Sequence, residues 1–154
     1  MTPRVGLAGV VGLGLGVVIA ACALEPDVGP RLAGSCEDAD TAPGTSVSFA
    51  TDIRPLISRA MGGCACHLPG PTGLGTGTQL SGFNLSSLST LRVGGLNSGS
   101  RIIVAGAPCD SIMYLKLSVS PPFGSRMPLN GPPFFSTEEL RLLHDWIAEG
   151  ANDN

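Results

Sequence analysis

A chain of 154 residues with a formal charge of −3, 14% charged side chains and no basic run has room for one domain and gives nucleic acid nothing to hold. Twenty-two glycines and thirteen prolines against one Trp, one Tyr and five Phe predict a loop-rich domain with a thin core. Such a core needs a supplement, and five cysteines offer disulfides, a metal or a large apolar cofactor.

Residues 1–21 read as a secretory signal, because Arg4 precedes the uncharged run Val5 to Ala21 and small residues then meet Cys22. Glycines between Gly6 and Gly16 weigh against an uncleaved anchor helix. Ile19-Ala20-Ala21-Cys22 resembles the bacterial lipobox. That resemblance implies cleavage before Cys22, lipidation of Cys22, and a protein anchored to a membrane. Ala23, where an Asp would mark the inner membrane, implies an outer-membrane address. Export also permits disulfides. Residues 22–47 hold Pro, Gly, Asp and Ser without apolar periodicity and read as a flexible tether, interrupted only by Cys36.

The domain proper spans 48–154 and is expected to be all-α, with about four helices joined by long Gly/Pro loops. Thr51-Asp52 can cap a first helix whose Ile53, Leu56, Ile57 and Met61 fall at helical spacing, with Pro55 tolerated in its first turn. Gly62-Gly63 ends it just before Cys64-Ala65-Cys66-His67. The segment Leu68 to Gly82 reads as one long loop. Its Gly73-x-Gly75-x-Gly77 has no strand before it and no helix after it, so it is not a phosphate loop. A short helix is expected over Ser86 to Val93, then an extended Arg101-Ile102-Ile103-Val104. Pro108 and Asp110 start another helix with Cys109 at its entrance. A proline-rich loop presents Met127 between Arg126 and Pro128. Ser136-Thr137-Glu138-Glu139 is a capping box that opens the last helix, with Leu140, Leu143, Trp146 and Ile147 as its apolar stripe and Gly150 at its end. Asp145 and Glu149, like charges one turn apart, read as solvated surface.

Cys64-Ala65-Cys66-His67 concentrates the soft metal ligands. A c-type haem is attached by Cys-x-x-Cys-His, two thiols bonding the porphyrin and the imidazole binding iron. Here Gly63 stands in the first cysteine's place and Cys64 comes one residue late. His67 can be the proximal ligand, and Met127 downstream can supply the thioether of a His/Met pair.

With these residues in this order, the chain from Phe49 to Asn154 resembles the single-haem cytochrome c-like domains of bacterial exported lipoproteins, of the planctomycete and myxobacterial kind. Carrying the resemblance are Phe49-Ala50-Thr51-Asp52-Ile53-Arg54-Pro55-Leu56, Cys66-His67, Phe83-Asn84-Leu85, Ile103-Val104-Ala105-Gly106-Ala107-Pro108 with Ser111, Arg126-Met127-Pro128, and Asp145-Trp146-Ile147-Ala148-Glu149-Gly150-Ala151. It implies a small cytochrome c fold in which the first and last helices cross over the haem. It also implies axial roles for His67 and Met127 and a thioether at Cys66. The function implied is electron transfer with unidentified redox partner proteins, using haem c and no substrate.

Cys64 departs from the pattern. Residues i and i+3 of a helix lie about 60° apart, whereas i and i+2 lie about 160° apart, so Cys64 and Cys66 cannot both serve a helical site. Either Gly62-Gly63 lets the backbone unwind so that both bonds form, or Cys66 alone holds the haem, or none is attached. If both cysteines take haem, Cys36 and Cys109 are left as a disulfide pair; if neither does, four thiols allow three pairings. The haem-free alternative is a disulfide-stapled envelope lipoprotein with a binding or structural role. Zinc held by Cys64, Cys66, His67 and either Cys109 or His144 is disfavoured by the cysteine spacing and by export. No orienting third group accompanies a Cys/His nucleophile pair, so an enzyme is not expected.

Overall fold

The computed structural model describes residues 36–154; the expected signal segment 1–21, the expected lipidation site at Cys22 and the first part of the expected tether lie outside the described residues. Among the described residues the domain is all-α, with five α-helices and no strand. None of these helices is long and apolar enough to cross a membrane.

The first helical segment begins one turn earlier than Thr51-Asp52 suggests. Ser48 caps it, its hydroxyl accepting from the Thr51 amide while Asp52 accepts from the Ser48 amide at 2.8 Å. A π-helical turn, Phe49–Ile53, runs into α1, Arg54–Ser58, and Pro55 falls in the first turn of α1. The helix stops at Ser58, short of Met61, which is 66% exposed and not part of the apolar stripe. A single 3₁₀ turn, Ala65–His67, carries the cysteine–histidine group.

The expected loop 68–82 contains α2, Thr76–Ser81, ended by Gly82 in the left-handed region. Two more short helices follow, α3 over Leu88–Val93 and α4 over Ile112–Leu117. Between them Arg101-Ile102 belongs to a 3₁₀ turn, Gly99–Ile102, so only Ile103 onward is extended. The last helix, α5, covers Thr137–Ala148, with the Ser136/Glu139 capping box formed in both directions.

The core gathers on α5. Trp146 and Ile147 are fully buried, and Phe49 meets the Trp146 ring at 5.3 Å between centroids, bringing the first and last helical segments together. Ile53, Leu91, Ile112, Leu117 and Leu143 fill the same cluster. Ala50 N–H donates to the Asn154 carbonyl at 3.1 Å and Gly106 N–H to the Ile147 carbonyl at 2.8 Å, so the C-terminal end of α5 and the residues after it are tied to distant chain.

The stretch read as a tether is held down from Cys36 onward. Cys36 is disulfide-bonded to Cys109, with 5.8 Å between their Cα atoms. Thr41 donates its amide and its hydroxyl to the Asp145 carboxylate at 3.0 and 2.7 Å, Val47 donates its amide to Glu149 at 2.8 Å, and Val47 itself is buried. Asp145 and Glu149 are therefore not solvated surface. Asp145 is 2% exposed. The acidic pair faces the unpaired amides of the arm, a partner that helical spacing within α5 cannot reveal.

Candidate functional site

Cys64, Cys66, His67 and Met127 all line one cavity of about 480 Å³, together with Ile112, Met113 and Leu117 of α4. The stretches that meet there include the 3₁₀ turn 65–67, α2, α4, and the loop around Met127.

The 3₁₀ turn is fixed on every side. His67 N–H donates to the Cys64 carbonyl at 2.9 Å, and the His67 carbonyl accepts from Leu85 N–H at 2.9 Å. Nδ1 of His67 lies 3.1 Å from the Phe83 carbonyl oxygen, which can only accept, so Nδ1 carries the proton and Nε2 keeps the lone pair. Burial lowers the imidazole pKa, partly offset by that hydrogen bond, which favours the neutral ring a metal requires. The Phe83 ring stands 5.1 Å from the imidazole.

Glycines bring α2 against this turn. A Cβ on Gly77 would sit 2.8 Å from His67 Cε1 and 2.9 Å from Nδ1, and one on Gly75 would sit 2.3 Å from the Cys66 carbonyl oxygen. The Gly73-x-Gly75-x-Gly77 run is thus neither loose loop nor phosphate cradle. Gly75 and Gly77 permit a helix to lie on the 65–67 turn and its imidazole, which sequence could suggest only once His67 was placed beside them.

The two cysteines have different surroundings. Cys66 is exposed at the cavity, whereas Cys64 is buried in the core and burial pushes its thiol up to about 12. Gly63 has no room for a side chain: its Cβ would lie 2.4 Å from the Arg59 carbonyl oxygen and 2.9 Å from that of Leu56. Arg59 locks this corner, donating to the Gly62 carbonyl at 3.0 and 2.9 Å and pairing with Glu139 of the capping box.

Met127 is half-buried and packs on the core. Its amide donates to the Lys116 carbonyl at 2.8 Å, and Arg126 donates to the Leu117 carbonyl at 3.0 Å, so α4 holds the loop by its last carbonyls. Lys116 itself donates to the carbonyls of Phe123, at 2.7 Å, and Ser125. Burial lowers the Lys116 pKa.

The zinc set is dispersed. Cys109 is bonded to Cys36, and His144 lies with Cys36 and Tyr114 on the wall of another cavity, so neither joins Cys64, Cys66 and His67. Sγ of Cys36, Sγ of Cys109 and a ring nitrogen of His144 lie within 4.8 Å of one another, but the disulfide leaves no thiolate to bind an ion. His144 bonds Asp145 at 3.1 Å and the Glu37 carbonyl at 2.6 Å.

The donor set at the larger cavity suits an iron porphyrin: an imidazole with its lone pair on Nε2, a thioether, an accessible thiol next to the imidazole, and apolar walls enclosing a volume within the usual range for a cofactor site. The chain matches no protein-family model, and no curated protein or solved structure matches it.

Proposed function

We propose that this protein is a haem-binding electron-transfer module with a cytochrome c-like fold, anchored by lipid at Cys22 to the outer membrane. The observation that carries the reading is the meeting of the adjacent pair Cys66-His67 with Met127, distant from both in sequence, on the wall of one apolar cavity. His67 and Met127 would ligate the iron, and Cys66 would hold the porphyrin by a single thioether. Cys64, although on the wall of the same cavity, stays a core residue, because its thiol is buried and burial pushes its pKa up to about 12, which opposes a second bond. Haem c held in this way supplies a one-electron iron couple, exchanged with redox partner proteins without a bound substrate. The alternative, a haem-free envelope lipoprotein with a binding or structural role, draws on the Cys36–Cys109 bridge, which staples the domain whether or not a cofactor is present.

Co-expression with a c-type haem maturation system, followed by haem staining of a denaturing gel, separates the two. Covalent stain is expected, lost in Cys66→Ser and kept in Cys64→Ser. A protein that takes up no haem while both Cys64 and Cys66 titrate as free thiols sinks the haem reading. Met127→Ala is expected to lower the reduction potential, since a thioether ligand favours the ferrous state; an unchanged potential removes Met127 as a ligand.

A further inference from the structure

The larger cavity is lined by no Asp, Glu or Arg, and its one cationic side chain is Lys116. This ammonium is half-buried on an apolar wall, with two of its three N–H groups spent on the Phe123 and Ser125 carbonyls and the Phe123 ring 4.8 Å away. No carboxylate among the described residues pairs with it. A partly desolvated charge satisfied only by neutral acceptors favours an anion at its remaining donor, and a charge-assisted bond there is about twice as strong as a neutral one.

We propose that Lys116 is the carboxylate-binding residue of this cavity, so that the cavity selects an apolar ligand bearing a carboxylate over the same ligand esterified. The proposal deepens the haem reading and rests on it for the identity of the ligand, since a porphyrin of this type carries two propionates. Its geometry is independent of iron ligation: Lys116 reaches the cavity from α4, on the carbonyls of the loop that presents Met127. Gly124 marks the position of the ammonium, because a Cβ built there would lie 3.7 Å from Nζ.

The test uses the full chain produced without haem maturation, with metal-free protoporphyrin IX and its dimethyl ester as the two ligands and porphyrin fluorescence as the readout. The ratio of acid to ester affinity is compared between variants, which cancels partitioning into detergent. Lys116→Met is expected to lower this ratio at least about tenfold, the worth of one charge-assisted bond. Gly124→Asp, at a left-handed position that Asp tolerates, is expected to lower it similarly by offering the ammonium an internal carboxylate while Lys116 and its loop contacts remain. An unchanged ratio in both variants overturns the proposal, as does an equal loss of acid and ester binding, which would make Lys116 a loop staple only. An acid preference that depends on Lys116 in a protein that never stains for haem defeats the haem reading and leaves this one standing. Haem staining with no such preference does the reverse, and a wild-type chain that binds neither porphyrin defeats both.

Discussion

Gly63 stands where a Cys-x-x-Cys-His pattern would place its first cysteine, and packing leaves no room there for a side chain. With carbonyl oxygens of Arg59 and Leu56 closer than 3 Å to where a Cβ would stand, the backbone is folded around a bare Cα. Gly63→Cys would restore the Cys-x-x-Cys-His spacing on paper. It is expected to lose about 1–3 kcal/mol of stability through overpacking, read as a lower urea midpoint, and to gain no second thioether; an unchanged midpoint would show that the corner opens freely. The neighbouring thiols divide by environment. A thiol pushed up to about 12 holds only about one thiolate in ten thousand at pH 8, so iodoacetamide at that pH is expected to label Cys66 in the native protein and Cys64 only after unfolding. Equal labelling rates would place Cys64 outside the core. Gly77 contributes in the same steric manner: Gly77→Ala must move the His67 ring or α2 itself, and is expected to weaken the Nδ1 bond to Phe83. The check is the His67 ring ¹⁵N shifts in the haem-free protein; unaltered shifts would mean that α2 yields and the imidazole does not.

Elements differ in how much of their behaviour sequence could carry. The start, apolar face and end of α5 were legible, because their signals are local: Ser136 and Glu139 make the capping box, Leu143, Trp146 and Ile147 fall on one face, and Gly150 ends it. Cys66-His67 was legible for the same reason, as adjacent residues with one chemistry. The α2 helix was not, since Gly75-Thr76-Gly77-Thr78 is a poor helix former and the helix exists by packing on the 65–67 turn. Asp145 was misread because Thr41, its partner, lies 104 residues upstream. Burial works against the Asp145 charge, but the bonds from Thr41 and His144 outweigh it and hold the carboxyl below its usual range. A carboxylate so held adds stability that is complete above about pH 4, the unfolded value, and is lost as pH falls through the lower folded value.

The arm is fastened by the Cys36–Cys109 disulfide, spanning 73 residues, and by hydrogen bonds that include those from Thr41 and Val47 to α5 and its C-cap, the one between His144 and the Glu37 carbonyl, and the one from the Cys109 amide to Asp38. Cys109 is buried at the entrance to α4, the helix that supplies Ile112, Met113 and Lys116 to the cavity, so the arm and the site share a support. Replacing both cysteines by Ser is expected to cost roughly 4 kcal/mol, mostly from the loop-closure entropy returned to the unfolded chain. Asp145→Ala in the disulfide-bonded protein leaves the Thr41 amide and hydroxyl without their acceptor and is expected to cost about 1–3 kcal/mol. If the bridge is what keeps the arm seated, the Thr41 bonds are already open in the Ser/Ser variant, and the triple variant loses less than the sum of the two changes. Urea denaturation of the four proteins measures that coupling as a cycle. Additive losses would show that residues 36–47 dock on α5 by their own hydrogen bonds, leaving the disulfide to act on the unfolded state alone.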